Sequence, residues 1–139
     1  MLQALLELAR YVLPDPFYLL YRELMKDNCL FCKILEKKIP AEIVFENDDC
    51  LGFKDIHPAA PKHILFIPKK HIESMDKAEQ EDAAMLGRVL VSASEYARKN
   101  GFHENGYRIV NNMGKDAGQT VFHIHFHLLA GRSFAWPPG

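Results

Sequence analysis

The sequence predicts an α+β domain with a mostly antiparallel sheet, one long helix and a short helix before the sheet. Three observations lead there. Short runs rich in β-branched and aromatic residues are separated by turn signals, which marks strands. One long stretch carries apolar residues at helical spacing. Both fit within 139 residues, a length suited to one domain with a core of its own.

Taken in order, Leu2, Leu5, Leu6, Ala9 and Leu13 have helical spacing, and Pro14-Asp15-Pro16 stops that helix. A second short helix is expected over residues 17–26. Residues 1–27 are read as a helical N-terminal extension and residues 28–139 as the domain proper, with Met25 an alternative first residue. The extension has three open readings: it packs on the domain, binds a partner, or reflects the choice of start site.

Residues 29–37 read as a short helix. Ile43–Glu46, Cys50–Lys54 and residues 63–67 read as strands, divided by Asn-Asp and Pro-Ala-Ala-Pro turns. Asp76 with Glu79 three residues on has capping-box spacing. It is expected to open the long helix, 77–100, with Leu86, Val89, Leu90, Ala93 and Tyr96 apolar and Asn100-Gly101 as its end. Residues 107–111 and 121–129 complete the strands.

Composition narrows the function classes. Hydrophobic residues make up 48% of the chain, which favours an ordered core. Lys plus Arg number 17 against 18 Asp plus Glu, so there is no general electrostatic footprint for a nucleic-acid polymer, although a pocket for one small anion remains possible. No apolar run reaches the roughly 20 residues of a membrane span. The apolar start is broken by Glu7 and Arg10 and lacks the basic region of a signal peptide. Three cysteines, with Cys29 and Cys32 as C-x-x-C, indicate a reducing, cytoplasmic setting. The pair is then a metal clip or plain packing rather than a disulfide. Cys50 is read as a core residue.

His123-Ile124-His125-Phe126-His127-Leu128-Leu129 is the most informative segment. In a strand its three histidines share one face and Ile124, Phe126 and Leu128 the other. The histidines have three readings: solvated or hydrogen-bonded side chains, a metal site, or a nucleophile flanked by phosphate-binding groups. The preceding loop, residues 112–120, favours the third. It supplies glycines for close backbone approach together with amide and hydroxyl donors, and only Asp116 as an acidic ligand.

At this point the sequence resembles the histidine triad superfamily, whose signature alternates histidine with apolar residues as residues 123–129 do. Phe53-Lys54-Asp55-Ile56-His57-Pro58, Pro61-Lys62-His63 and Ile67-Pro68-Lys69-Lys70-His71 are similar to the family's blocks in the same order. The ending Trp136-Pro137-Pro138-Gly139 looks like the Hint branch of nucleoside phosphoramidases rather than the Fhit branch. The resemblance covers residues 28–139 and implies a HIT-like fold and a nucleotide hydrolase. On that resemblance His125 attacks the α-phosphorus and forms a nucleotidyl-histidine, which water then hydrolyses. His127 contacts a phosphate oxygen, His63 orients or relays a proton, and Thr120 assists the leaving group where the family often has serine. Asp55 holds the ribose. Phe31, Ile34, Phe53 and Ile56 form the base slot, although core packing is the default for apolar residues of this kind. Asn112, Gly118 and Gln119 lie on the phosphate side.

The resemblance also implies a structural zinc, held by Cys29, Cys32, His71 and His123, with no catalytic cofactor. Two buried thiols and a hydrogen-bonded His123 are the alternative. The family's two-fold dimers imply a homodimer through the long helix and the strand at 107–111. The expected ligand is a purine nucleotide, AMP-like, with no membrane partner. The alternatives are a dinucleoside polyphosphate hydrolase, a nucleotide-binding regulatory module with little turnover and, more remotely, a zinc-dependent metallohydrolase.

Overall fold

The computed structural model describes residues 20, 23, 24 and 26–139. The expected helix at residues 2–13 and its Pro-Asp-Pro stop lie outside the described residues. Of residues 17–26, Leu20, Glu23, Leu24 and Lys26 are described, and they are helical. Helix α1 (Leu30–Leu35) is followed by strands β1 (Ile43–Glu46), β2 (Cys50–Lys54) and β3 (Lys62–Pro68), then helix α2 (Ala83–Lys99), β4 (Tyr107–Val110) and β5 (Phe126–Ala130). The five strands form one sheet in the order β1-β2-β3-β5-β4, every pair antiparallel. Among the described residues no helix is long and apolar enough to cross a membrane.

The register divides the sheet into two faces. On one, Cys50, Ile64, Phe66, Phe126 and Leu128 pack with Ile124 against Leu86, Val89, Ala93 and Ala97 of α2. On the other, Leu51, Phe53, Leu65 and Ile67 pack against Cys29, Phe31, Cys32 and Ile34 at α1. Leu65 pairs with His127, and His63 with Leu129. Strand alternation therefore places both histidines on the α1 face and leaves Leu128 to the α2 face. The catalytic-type side chains grow from the sheet face that the short helix covers.

Two expected elements begin elsewhere. β5 starts at Phe126, not at 121, and residues 121–125 form a bend and an irregular stretch. On one side β4 ends at Val110, and on the other Pro68 has no N–H with which to extend the ladder. The 3.6-residue periodicity of the long helix begins at Ala83, after two 3-10 turns, Met75–Lys77 and Gln80–Asp82. The capping box is Glu79 with Asp82 rather than Asp76 with Glu79. Asn100 is the C-cap, and Gly101, at φ 74, turns the chain away. Of the expected apolar positions Leu86, Val89 and Ala93 are buried, whereas Leu90 is exposed.

Candidate functional site

The three histidines of the motif do keep to one side, but only His127 lies in a strand. His123 and His125 are held in the irregular lead-in to β5 by Ile124, whose N–H donates to the Ile72 carbonyl at 2.7 Å. They are not a solvated surface: His123 is fully buried and His125 is 5% exposed. The imidazoles of His125 and His127 stand 4.9 Å apart between centroids, and those of His63 and His127 5.1 Å apart. His63 and His127 are diagonal neighbours across β3 and β5, a separation that long side chains can bridge.

The hydrogen bonds fix where each proton sits. The His125 Nδ1 is 2.8 Å from the His123 carbonyl. A carbonyl only accepts, so Nδ1 carries the proton and Nε2 keeps a free lone pair. The Ala59 N–H donates to His63 Nδ1 at 3.0 Å. His63 must then carry its proton on Nε2, which donates to His127 Nδ1 at 2.8 Å. His127 is left with its proton on Nε2, and that buried nitrogen has no hydrogen-bond partner among the described residues. Asp55 receives the His57 N–H on Oδ1 at 2.7 Å and places Oδ2 3.4 Å from His63 Nε2.

Burial governs the titration of this group. It pushes His63 below the ordinary histidine value, against the opposing pull of the Asp55 carboxylate. It also lowers His125, with the hydrogen bond to the His123 carbonyl opposing. His127 is lowered to about 4, by burial first and by the neighbouring His125 and His63 next. All three are therefore neutral near pH 7, the state in which a histidine can be a nucleophile or a directional donor.

Phe31 and Phe53 meet edge to face at 5.5 Å, and Phe31 stands edge-on to the His125 ring at 5.2 Å. Ile34 is buried in the same cluster. Ile56, expected beside them, is instead 85% exposed. In the 112–120 loop Asn112 is half-buried, and Gly118 and Thr120 are exposed. Gln119 differs from its expected place on the phosphate side. Its side chain accepts from the Gly114 N–H and donates to the carbonyls of Glu73 and Val121, so it braces the loop from within. The N–H groups of Gly118 and Gln119 are likewise turned to the carbonyls of Lys115 and Gly114. A residue absent from the sequence reading, Asn111, donates from Nδ2 to the His125 carbonyl at 2.9 Å. Only the β4–β5 register brings Asn111 there, and no local signal in the sequence announces it.

Cys29, Cys32, His71 and His123 form a separate group whose ligand atoms all lie within 4.8 Å of one another. Sulfur-to-nitrogen separations are 3.5 Å for Cys29–His123, 3.3 Å for Cys32–His71 and 3.6 Å for Cys32–His123. The two Nδ1 atoms are 3.2 Å apart. A tetrahedral zinc, with bonds of about 2.3 Å to sulfur and about 2.0 Å to nitrogen, sets its ligand atoms roughly 3.3–3.8 Å apart. His123 Nε2 donates to the Pro68 carbonyl at 2.8 Å, which bares Nδ1 toward the cysteines in the manner of a metal-bound histidine. The Cys32 hydrogen bond lowers Cys29, and the Cys29 hydrogen bond raises Cys32, so one thiolate is readily formed and shared. These four residues fit a zinc ion. The cluster of Asp55, His63 and His127 does not fit one as well, because binding there would require the bare Nε2 that the Ala59 bond denies to His63.

The chain matches the HIT domain family over residues 36–134. It is 49% identical to an uncharacterized HIT-like protein of Synechocystis, over 83% of this chain and all of that protein. A HIT family hydrolase from Legionella pneumophila superposes with a TM-score of 0.78 at 49% identity, covering 80% of this chain and 99% of that one. A histidine triad protein from Clostridium difficile gives 0.75 at 40% identity, covering 78% and 94%. A histidine triad nucleotide-binding protein from Candida albicans gives 0.68 at 31% identity, covering 78% and 82%.

Proposed function

Because the chain belongs to the HIT family, we propose that it is a hydrolase of purine nucleoside 5′-phosphoramidates that works through a nucleotide bound covalently to His125. One observation carries the reading: a lone pair on His125 Nε2 beside an N–H on His127 Nε2 that has no partner among the described residues, both set by fixed hydrogen bonds. A lone pair and an adjacent donor are what attack at phosphorus needs, one to form the bond and the other to hold a phosphate oxygen.

In the first half-reaction the His125 lone pair forms the N–P bond while the phosphoramidate P–N bond breaks. The departing amine takes a proton by way of the Thr120 hydroxyl or solvent. His125 gains positive character, and its Nδ1–H bond to the His123 carbonyl tightens. In the second half-reaction water attacks phosphorus, the His125–P bond breaks, and the proton released by water leaves by way of the Thr120 hydroxyl or to solvent, replacing the one that the amine took. His127 holds a nonbridging oxygen throughout, and the His63 bond keeps its proton on Nε2. Asp55 receives the ribose hydroxyls, and Phe31, Ile34 and Phe53 receive the base, with the exposed Ile56 at the outer edge. Asn112 and Gly118 line the phosphate side, and Gln119 shapes the loop from within. Cys29, Cys32, His71 and His123 would hold zinc, which supplies cross-linking of α1 to the histidine segment and takes no part in bond making. Residues 28–139 act as the domain and residues 1–27 as an appendage, and the chain pairs as a homodimer through α2 and β4.

The C-terminal Trp-Pro-Pro-Gly supports the phosphoramidase branch over dinucleoside polyphosphate hydrolysis. Turnover of an adenosine 5′-phosphoramidate beside a diadenosine polyphosphate, for the wild type and His125→Ala, separates the readings. Rapid amine release, lost in His125→Ala with AMP binding retained, is the expected result. Preference for the polyphosphate moves the protein to the other branch. Tight AMP binding without His125-dependent turnover of either favours a regulatory binding module.

A further inference from the structure

The C-terminal arm closes on the loop that feeds the histidines. Gly131 has φ 94, and a Cβ there would stand 2.9 Å from Pro61 Cβ, so this position needs a residue without a side chain. Arg132 follows at once. Its Nε and Nη2 donate to the Ala59 carbonyl at 3.2 and 3.0 Å, and Nη1 donates to the Ser133 carbonyl at 3.0 Å. Its guanidinium lies over the Phe134 ring at 4.3 Å, and Arg108 of β4 approaches the same ring at 5.2 Å. Arg108 also donates to the Ala135 carbonyl at 2.9 Å. The arm is thus anchored to the sheet edge on one side and grips the 57–61 loop on the other.

Ala59 is where the grip meets the chemistry. Arg132 holds its carbonyl, and its N–H is the donor to His63 Nδ1. That bond is the one fixed contact at Nδ1 and puts the proton on Nε2, where the Asp55 carboxylate, which only accepts, favours the same tautomer and His127 Nδ1 accepts the bond. Were the proton on His63 Nδ1, its Nε2 would become an acceptor, and His127 would turn its own proton inward to Nδ1. The buried His127 Nε2 would then present a lone pair where the proposed reaction needs a donor. A misplaced imidazole tautomer can disable a histidine site whose geometry is intact.

We propose that Arg132 is a positioning residue: by holding the Ala59 carbonyl it keeps the adjoining Pro58–Ala59 peptide N–H aimed at His63 Nδ1, which fixes the His63 tautomer and, through it, the proton on His127 Nε2. The catalytic consequence rests on the function proposed above, whereas the tautomer itself does not. Full-length protein with ¹⁵N-labelled histidine, compared by NMR for the wild type, Arg132→Gln and Arg132→Lys near neutral pH, reads the tautomer directly. The expected wild-type signal is His63 protonated on Nε2 alone. Arg132→Gln is expected to show an added Nδ1-protonated population, with kcat lowered roughly tenfold and KM changed less than about twofold. Arg132→Lys, which keeps the charge but only a single site for gripping the carbonyl, is expected to fall between. If Arg132→Gln does not fold, Arg132→Lys is read the same way. A His63 that stays wholly Nε2-protonated in the folded variant overturns the assignment, whatever happens to turnover. Mixed tautomers in a protein with no His125-dependent turnover would uphold the positioning and reject the proposed function.

Discussion

A neutral imidazole has one proton for two nitrogens, so whatever binds one nitrogen determines what the other can do. At His125 a carbonyl accepts the Nδ1–H and leaves Nε2 a nucleophile, and at His63 a peptide N–H does the reverse by donating to Nδ1. His127 stands at the end of that chain, and its environment makes a pH prediction. Burial, then the neighbouring His125 and His63, lower its pKa from 6.5 to about 4, with Asp55 opposing. Between those values the unfolded chain binds a proton that the folded chain refuses. The associated stability is therefore complete above about pH 6.5 and is lost as the pH falls toward 4. Thermal unfolding followed by circular dichroism is expected to show Tm falling over this window, with a shallower fall in His127→Asn. Parallel curves for the two proteins would place the titrating group elsewhere. The residue types and the spacing of the motif were legible in the sequence. The tautomers of His63 and His127 were not, because they depend on Ala59, distant in the chain from His127 and contributing only its backbone.

At the scale of elements, alternation was the readable signal. Ile124, Phe126 and Leu128 do share one face as their spacing predicts, and it is the face that α2 covers, although the first of them precedes the strand. Alternation reports which side a residue faces, not where ladder pairing stops, and pairing stops here because Pro68 and the end of β4 withhold partners. The start of α2 was misplaced for a related reason. Asp76 and Glu79 carry the spacing of a capping box, but Glu79 and Asp82 make one, and the two spacings overlap in sequence. Helix α1 is the element most dependent on the proposed zinc ligands, since Cys29 is its N-cap and Cys32 lies within it. Chelation is expected to lower Tm measurably, while turnover persists for as long as the protein stays folded. Prompt loss of activity at unchanged Tm would instead make the metal catalytic.

For the whole molecule, the sheet has α1 on one face and α2 on the other, and the outward side of α2 keeps Leu90 and Val91 exposed at 37% and 56%. β4, a neighbour of β5 alone, is an edge that calls for cover. The homodimer expected from the family resemblance would cover both. Sedimentation equilibrium is expected to give the mass of two chains for the wild type and of one chain for Val91→Glu. A monomeric wild type would remove the dimer from the account. The family and its fold were readable because several motifs stand in register along the chain, whereas loop details such as the inward Gln119 and the exposed Ile56 emerge only with tertiary structure. The central claim is the covalent step at His125. Its most direct test is rapid acid-free quenching of the protein with an adenosine 5′-phosphoramidate, followed by peptide mass spectrometry. An AMP adduct on His125, appearing before product and disappearing as AMP is released, is the predicted result. Sustained turnover with no adduct on His125 at any time would contradict it.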